Sequence, residues 1–402
     1  MRTLKRTLIE FYDHNYLENT IALFGAHYDA VKYFYLNGEN EPDHRDRERL
    51  TKFVRERFGI EPEYLELPEN TVEAIMNCFA EVVQDSGVCD CDITGGSPIF
   101  SAAIGLFVGG CCEECVSILQ YDVQNGRRVF CWPKCENEAE SKPEIYLTIP
   151  EIIALNEGEF RLNSGPVRYD LNENDLRNEI VRLWDAVRDR LSNWNSFCAV
   201  PSPGFMRLDE QRMGRVFKSE QTETYENIAQ RLRDAKIIDG EWKKREKNSF
   251  TVTFNLNVPK NARFLYDKGG NLLEMVSYLA AVESGCFADC CTGATLDWDG
   301  EDFGRNNEPH NEIDLILTYG HIPVFVSCKG MQVENEYLYE ILTMARHFGG
   351  PCARPVLISS VSNRRSIRER AAEMGILLLD DVARLGIDGL IEALRKQFPP
   401  HN

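Results

Sequence analysis

Apolar positions in this chain follow two rhythms. After Asp43, Leu50, Phe53, Val54 and Phe58 recur three or four residues apart, which predicts an amphipathic helix. Val72, Ile75, Met76, Phe79 and Val83 repeat that rhythm between Asn70 and Val83. Ile99 to Val108 predicts a third, more apolar helix. Between these lie short apolar runs that read as buried strands: Thr20 to Phe24, ending at Gly25, and Val88 to Thr94. Val116 to Tyr121 and Arg128 to Trp132 flank Gln124-Asn125-Gly126, a hairpin signal. Strands and helices alternating in this way predict a parallel, Rossmann-like sheet with helices on both faces.

The pattern changes near residue 156. Leu176, Ile180, Leu183, Trp184, Val187 and Leu191 mark one amphipathic helix, and Tyr225 to Leu232 reads as another. This predicts a polar, mainly helical connector. From about 246 the strand rhythm returns. Phe250 to Leu256 alternates as a strand, and Asn271 to Val282 reads as a helix. Strands Glu312 to Thr318 and Ile322 to Cys328 follow, joined by Tyr319-Gly320-His321. Then come a helix (Glu334 to Phe348), a strand (Pro355 to Ser359), a helix (Ile367 to Met374), a strand (Ile376 to Leu379) and a last helix. The expected fold class is α/β, with units at 1–155, 156–245 and 246–402.

Composition is that of a folded chain: 402 residues, 43 % hydrophobic and 27 % charged. The net charge of −19 argues against a protein that coats nucleic acid through a general positive field. Its distribution changes that picture. Residues 1–155 carry −13, residues 156–245 carry 0 and residues 246–402 carry −6. The acidity therefore sits mainly in the first unit. The stretch Ile93 to Cys112 is charge-free but too rich in Gly, Ser and Pro for a membrane span. Met1 to Asn15 lacks a signal-peptide core, so a cytoplasmic location with reduced thiols is expected.

Chemistry concentrates on the two central strands of the last unit. Strand alternation puts Glu312 and Asp314 on one face, and Ser327 and Lys329 on one face of the neighbouring strand. A strand carboxylate beside a lysine suits a hard divalent cation and a phosphate. Glu274, on the preceding helix, offers a further oxygen. Two plainer readings stand beside this one. Asn271-x-x-Glu274 fits a helix capping box, and Asp314 with Lys329 fits a cross-strand ion pair.

Gly270-Asn271-Leu272-Leu273-Glu274, Asn311-Glu312-Ile313-Asp314 and Val326-Ser327-Cys328-Lys329-Gly330 together resemble the PD-(D/E)xK restriction-endonuclease-like superfamily. That resemblance implies hydrolysis of phosphodiesters with Mn²⁺ or Mg²⁺. It implies Glu274, Asp314 and Lys329 as catalytic residues, with Glu274 and Asp314 holding the metal. The family's acid two residues before the lysine is Ser327 here. Glu312, Glu340, the Ser327 hydroxyl and the Cys328 carbonyl are the available substitutes.

In the first unit, Asp92-Ile93-Thr94-Gly95-Gly96-Ser97 joins a strand to a helix, where backbone N–H groups can hold a phosphate. It is neither a Walker loop nor GxGxxG, and a simple tight turn is an equal reading. The segment Phe24-Gly25-Ala26-His27-Tyr28 is expected beside it, at the rim where ligands bind doubly wound sheets. These segments resemble the CRISPR-associated Rossmann fold, or CARF, whose members bind cyclic oligoadenylates across a homodimer. CARF followed by a nuclease domain resembles the effector nucleases of type III CRISPR systems. The resemblance implies cyclic tetra-adenylate as activator, DNA or RNA as substrate, and Gly25, His27, Tyr28, Thr94, Gly95, Gly96 and Ser97 as ligand contacts. A CARF-type binding protein with an inactive nuclease-like domain is the alternative, favoured by Ser327. A CARF domain that degrades its own ligand is a third option.

Two further clusters stand out. Cys112, Cys115, Cys131 and Cys135 straddle the hairpin with spacing that suits structural zinc, although simple thiols are the favoured reading in a chain this rich in cysteine. Lys243-Lys244-Arg245 and Arg364-Arg365-x-x-Arg368-x-Arg370 fit either phosphate contacts or solvated faces.

Overall fold

A computed structural model of the chain describes residues 5–38, 40–110, 116–123, 126–132, 145–156, 158–161, 165–199, 212–218, 222–246, 249–266, 268–297 and 310–400. The chain is mixed α/β, and the described residues form two six-stranded sheets and a small three-stranded one.

The N-terminal sheet contains β1 (Arg6–Phe11), β2 (Ala30–Leu36), β3 (Glu63–Leu67), β4 (Val88–Asp92), β5 (Val116–Asp122) and β6 (Arg127–Trp132). The strand order is β3-β2-β1-β4-β5-β6, and only the final hairpin pairs antiparallel. Its connecting helices are α1 (Glu18–Ile21), α2 (His44–Phe58), α3 (Val72–Asp85) and α4 (Pro98–Gly110). α2 starts with a reciprocal capping box between Asp43 and Asp46 and stops at Gly59, whose φ is +72°. Two apolar clusters cover the sheet, one around Leu8, Tyr33 and Leu119, the other around Ile9, Phe79 and Ile104.

Thr20 to Phe24 is a helical turn, not a strand. A five-residue apolar run does not separate the two by period, and here the run covers a sheet already formed. The first strand is Arg6–Phe11, whose pattern is masked by Glu10, a carboxylate only 2 % exposed.

α5 (Ile149–Leu155) lies against both sheets. Ile152 and Leu155 join the N-terminal core, and Ile149 and Ile153 join the core under the C-terminal sheet. β7 (Glu159–Phe160) then pairs with the edge of that second sheet.

The middle of the chain is less helical than its sequence suggests. α6 (Leu176–Val187), α7 (Leu191–Ala199) and α8 (Thr222–Asp234) are accompanied by a three-stranded antiparallel sheet of β8 (Arg212–Lys218), β9 (Ile238–Glu246) and β10 (Ser249–Leu256). The alternating run Phe250 to Leu256 is therefore a strand, but it belongs to this small sheet rather than to the last one. One apolar cluster joins Trp184, Trp194 and Ile228 to Leu279, Val324 and Leu394. The helices of the middle region thus share their core with the C-terminal sheet.

That sheet runs β15-β14-β13-β12-β11-β7. Its other members are β11 (Asp289–Asp297), β12 (His310–Tyr319), β13 (Ile322–Lys329), β14 (Arg354–Ser359) and β15 (Leu377–Leu379). α9 (Asn271–Ser284) and α12 (Val382–Gln397) cover one face, and α10 (Asn335–Gly349) and α11 (Arg365–Glu373) the other. β11 carries no clear strand signal, since Cys290-Cys291-Thr292-Gly293-Ala294 lacks alternation. Among the described residues, no helix is long and apolar enough to cross a membrane.

Candidate functional site

The C-terminal sheet opens where β12 and β13 part. Their pairing runs from Tyr319 opposite Ile322 to Leu315 opposite Val326 and stops there. Just past this point the Cys328 N–H donates to the Asp314 carboxylate at 2.6 Å, in place of a backbone partner on β12. The Ser327 hydroxyl donates to the same oxygen at 3.2 Å. The Thr292 hydroxyl of β11 donates to the Asp314 carbonyl at 2.8 Å. Asp314 is therefore fixed by both neighbouring strands. Burial pushes its carboxyl up, against the lowering effect of the Cys328 N–H and then of the Lys329 charge.

Beyond the split β13 stays paired with β14, where Lys329 lies opposite Ser359. The Lys329 ammonium sits 4.5 Å from the ring centroid of Tyr337 on α10. Among the described residues no ion pair joins Lys329 to Asp314, so the simple cross-strand pair does not form.

Glu274 enters from α9, on the other face of the sheet. The capping box is absent. Gly270 precedes the helix without a side-chain cap, and the Asn271 amide donates to the Phe264 carbonyl at 2.9 Å. Glu274 is thus available to face the strand carboxylates. Burial first, then the charges of Asp314 and Glu312, push it up to about 7. The Cys328 thiol contacts Ser277, one turn along α9, at 3.4 Å and brings the helix close to the split strands. Glu312, Asp314, Ser327 and Glu340 also line one small pocket under α10.

Among the described residues no three His, Cys, Asp or Glu side chains converge as a ready metal cage. The donor chemistry nevertheless fits a hard divalent cation: the charges of Asp314 and Glu312 add to burial in pushing the Glu274 carboxyl up, and a cation would relieve that repulsion. Glu274, Asp314 and Glu312 are the candidate ligands, with the Ser327 hydroxyl beside them.

Two glycines tie this site to the middle region. A Cβ on Gly269 would lie 2.4 Å from the Asn195 backbone, and one on Gly330 2.6 Å from the Asn195 amide. With its amide nitrogen turned toward the Gly269 carbonyl, Asn195 donates to it at 2.8 Å. α7 therefore wedges between the loop leading to Glu274 and the residue following Lys329.

In the N-terminal sheet, Thr94 to Ser97 leave the C-terminal end of β4. Asp92 accepts from the Thr94 N–H at 2.9 Å and from its hydroxyl at 2.5 Å. The Tyr121 N–H donates to the Thr94 hydroxyl at 2.7 Å. The Ser97 hydroxyl accepts from Phe100 N–H at 3.1 Å and caps α4 ahead of Pro98. Gly96 has φ +88° and sits against Phe11, where a Cβ would approach to 2.8 Å. Both hydroxyls thus shape the loop. Burial holds Asp92 up, to about 7, despite the lowering effect of Thr94.

The expected neighbours of this loop are placed differently. Gly25 lies under the β5–β6 hairpin, where a Cβ would sit 1.8 Å from the Tyr121 hydroxyl, and its carbonyl accepts from Arg128 at 2.8 Å. Tyr28 is buried and donates to Asp90 at 3.0 Å. His27 is exposed. The next residue but one, Asp29, bonds to Arg6 at the start of β1, so this segment leads to the opposite rim of the sheet. The chain beside the glycine loop is instead the end of β1. Gly96 N–H faces the Asp13 carboxylate at 3.4 Å, and Gly95 packs on Asp13 and Glu18. His14 and Asn15 stand at this rim and line a pocket shared with Arg346, His347 and Gly350 of the C-terminal unit. The signal for these residues is the strand Thr7-Leu-Ile-Glu-Phe, hidden by its buried glutamate.

Cys112, Cys115 and Cys135 lie outside the described residues, and Cys131 is exposed on β6. Lys243 to Arg245 fall on β9. Arg365, Arg368 and Arg370 are engaged with Glu369, Asp380 and Glu373.

No family model matches the sequence, and neither does any curated protein. Two solved structures share its fold along nearly the whole chain. Protein VC1899 from Vibrio cholerae superposes with a TM-score of 0.72 at 14 % identity, covering 98 % of both chains. Can2 from Sulfobacillus thermosulfidooxidans, in complex with cyclic tetra-adenylate, superposes with a TM-score of 0.65 at 15 % identity, covering 96 % of this chain and 98 % of that one. At these identities the likeness establishes the fold.

Proposed function

We propose that the chain is a ligand-gated nuclease of the type III CRISPR effector kind. Its N-terminal sheet is a CARF-type sensor of a cyclic oligoadenylate, cyclic tetra-adenylate in the first instance. Its C-terminal sheet is a divalent-cation-dependent nuclease of PD-(D/E)xK type. The observation that carries the reading is the Asp314 carboxylate held by Cys328 and Ser327 where β12 and β13 part, with its charge and that of Lys329 acting on Glu274. The fold shared with Can2, whose structure holds cyclic tetra-adenylate, supports the sensor half.

The chain's own groups divide the work. Asp314 is held rigid by Cys328 and Ser327, so its second carboxylate oxygen is pre-oriented for a ligand role. Burial and the charges of Asp314 and Glu312 push the Glu274 carboxyl up to about 7, so it would give up its proton on serving as a cation ligand. Lys329 sets a positive charge at the strand end, where a scissile phosphate would develop negative charge. A bound Mn²⁺ or Mg²⁺ supplies Lewis acidity toward the phosphate and lowers the pKa of water. At the other end, the α4 N-terminus behind the glycine loop offers anion contacts in an otherwise acidic unit, beside a Gly96 N–H that already faces Asp13. A homodimer placing two such rims face to face provides a symmetric cleft for a cyclic ligand. Ligand that favours one placement of the catalytic units shifts the population toward it.

A second reading rests on Ser327. With a hydroxyl where the superfamily resemblance implies an acid, the chain is a cyclic-oligoadenylate binding protein without hydrolytic activity. Cleavage of DNA and RNA with Mn²⁺ separates the two. The nuclease reading expects cleavage that is abolished in Asp314→Ala and Lys329→Ala. Unchanged cleavage in either variant overturns the site. No cleavage by the wild type on any substrate, with the ligand still bound, favours the second reading.

A further inference from the structure

A groove near the catalytic strands lies outside the carboxylate cluster. It has a volume of about 490 Å³ and opens beside Gly330, the residue that follows Lys329. One wall comes from the middle region, through Arg188, Arg190 and the first residues of α7. The other comes from the C-terminal unit, through Ser360, Asp381 and Arg384 at the start of α12. The N-terminus of the nine-residue α7 opens onto this groove, while the first N–H groups of α12 are already bonded, Ala383 to the Ser360 carbonyl and Arg384 and Leu385 to the Asp381 carbonyl.

Three further features mark it as an anion site. Ser360 is only 1 % exposed, and its hydroxyl has no hydrogen-bond partner among the described residues. Its own N–H donates to the Lys329 carbonyl at 3.1 Å, so the groove is one residue from the catalytic lysine. The acids on its walls are already engaged. Asp189 accepts from Arg231 at 2.7 and 3.0 Å, and Asp381 from Arg384 at 2.5 Å. Arg190 lies at the limit of ion-pair range from Asp189, 4.0 Å, with its side chain 58 % exposed. The Arg188 guanidinium reaches across and donates to the Ala383 carbonyl at 3.2 Å, bridging the two walls.

We propose that this groove binds backbone phosphates of the nucleic-acid strand flanking the cleaved bond, so that the middle region forms half of the substrate channel. The proposal rests on the nuclease reading for its biological meaning, but binding is measurable without cleavage. The ligand class is the phosphodiester backbone, because the groove offers the α7 N-terminus, guanidinium groups and a hydroxyl, and no aromatic side chain among its lining residues gives bases a platform. A local cationic groove also reconciles nucleic-acid binding with a chain of net charge −19.

The test uses the full chain and a fluorescent single-stranded oligonucleotide, titrated by anisotropy in EDTA at about 50 mM salt. Arg190→Glu and Arg384→Glu are the groove variants. Lys52→Glu, exposed on α2, changes net charge equally and is the control. The proposal expects each groove variant to weaken binding about tenfold and to lower the salt slope by about 0.7 for each phosphate no longer neutralised. The control should behave as wild type, and unfolding temperatures should agree across the set. Equal binding by groove variants and control overturns the proposal, as does the absence of wild-type binding. If the groove variants bind as wild type while Lys329→Ala abolishes cleavage, the groove falls and the nuclease reading stands. If they bind weakly while no protein cleaves anything, the groove stands and the nuclease reading falls.

Discussion

Replacing Glu274 by Gln should make the metal-free protein more stable at alkaline pH while removing its response to divalent cations. Burial and the charges of Asp314 and Glu312 raise this carboxyl from 4.5 to about 7 in the folded chain. The folded state therefore holds a proton that the unfolded state has released. Its contribution is full below about pH 4.5 and disappears as pH rises through about 7. At about 1.4 kcal/mol per pH unit, the wild type forfeits about 3 kcal/mol over that window. Glutamine carries no such proton, so the variant is spared this loss. Urea unfolding in EDTA at pH 5 and at pH 8.5 reads the effect. The stability of Glu274→Gln relative to wild type should rise by about 2–3 kcal/mol between the two pH values. Added Mn²⁺ should then stabilise the wild type at pH 8.5 and leave the variant nearly unmoved. A gap that stays constant with pH would refute the raised Glu274 carboxyl on which this prediction rests.

Other substitutions probe the supports of the two sites. Gly25→Ala places a methyl onto the Tyr121 hydroxyl and should cost about 1–3 kcal/mol, with much of the loss recovered in Gly25→Ala/Tyr121→Phe by thermal unfolding. Thr94→Val deletes the bond to Asp92 and strands the Tyr121 N–H, for a loss of about 1–3 kcal/mol and weaker cyclic tetra-adenylate binding by calorimetry. Gly330→Ala should reduce cleavage by pushing the Asn195 amide, and Asn195→Ala in the same chain should restore part of it. Gly269→Ala meets the Asn195 backbone instead, so the same second change should not rescue it.

How legible each segment is in the sequence follows from how it is buried. α2, α3, α6 and α10 each bury a single face, so their apolar residues recur with helical spacing. β13 and β14 are nearly continuous apolar runs because helices cover both faces of their sheet. β1 escapes that pattern because a central strand here carries a buried acid, Glu10, in place of an apolar residue. Without β1 the rim of the first sheet is misplaced, and Gly25, His27 and Tyr28 fall beside a loop that in fact faces Asp13 and Glu18. The placement of Glu274 on α9, Asp314 on β12 and Lys329 on β13 is legible because the apolar spacing of those elements is. What the spacing does not reveal is the parting of β12 and β13, which gives Asp314 its backbone partner on the neighbouring strand. The groove beside Gly330 is invisible for a similar reason. Its walls, Arg188 to Asn193 and Ser360 to Arg384, come from distant parts of the chain and meet only because α7 packs onto the strand ends.

The claim that joins the two sheets is that occupancy of the sensor controls hydrolysis. Its most direct test is phosphodiester cleavage by the wild-type protein with Mn²⁺, with and without cyclic tetra-adenylate. The account predicts cleavage that rises steeply with the ligand and is absent from Lys329→Ala at any ligand concentration. Cleavage of equal rate with and without the ligand, or undiminished in Lys329→Ala, would contradict it.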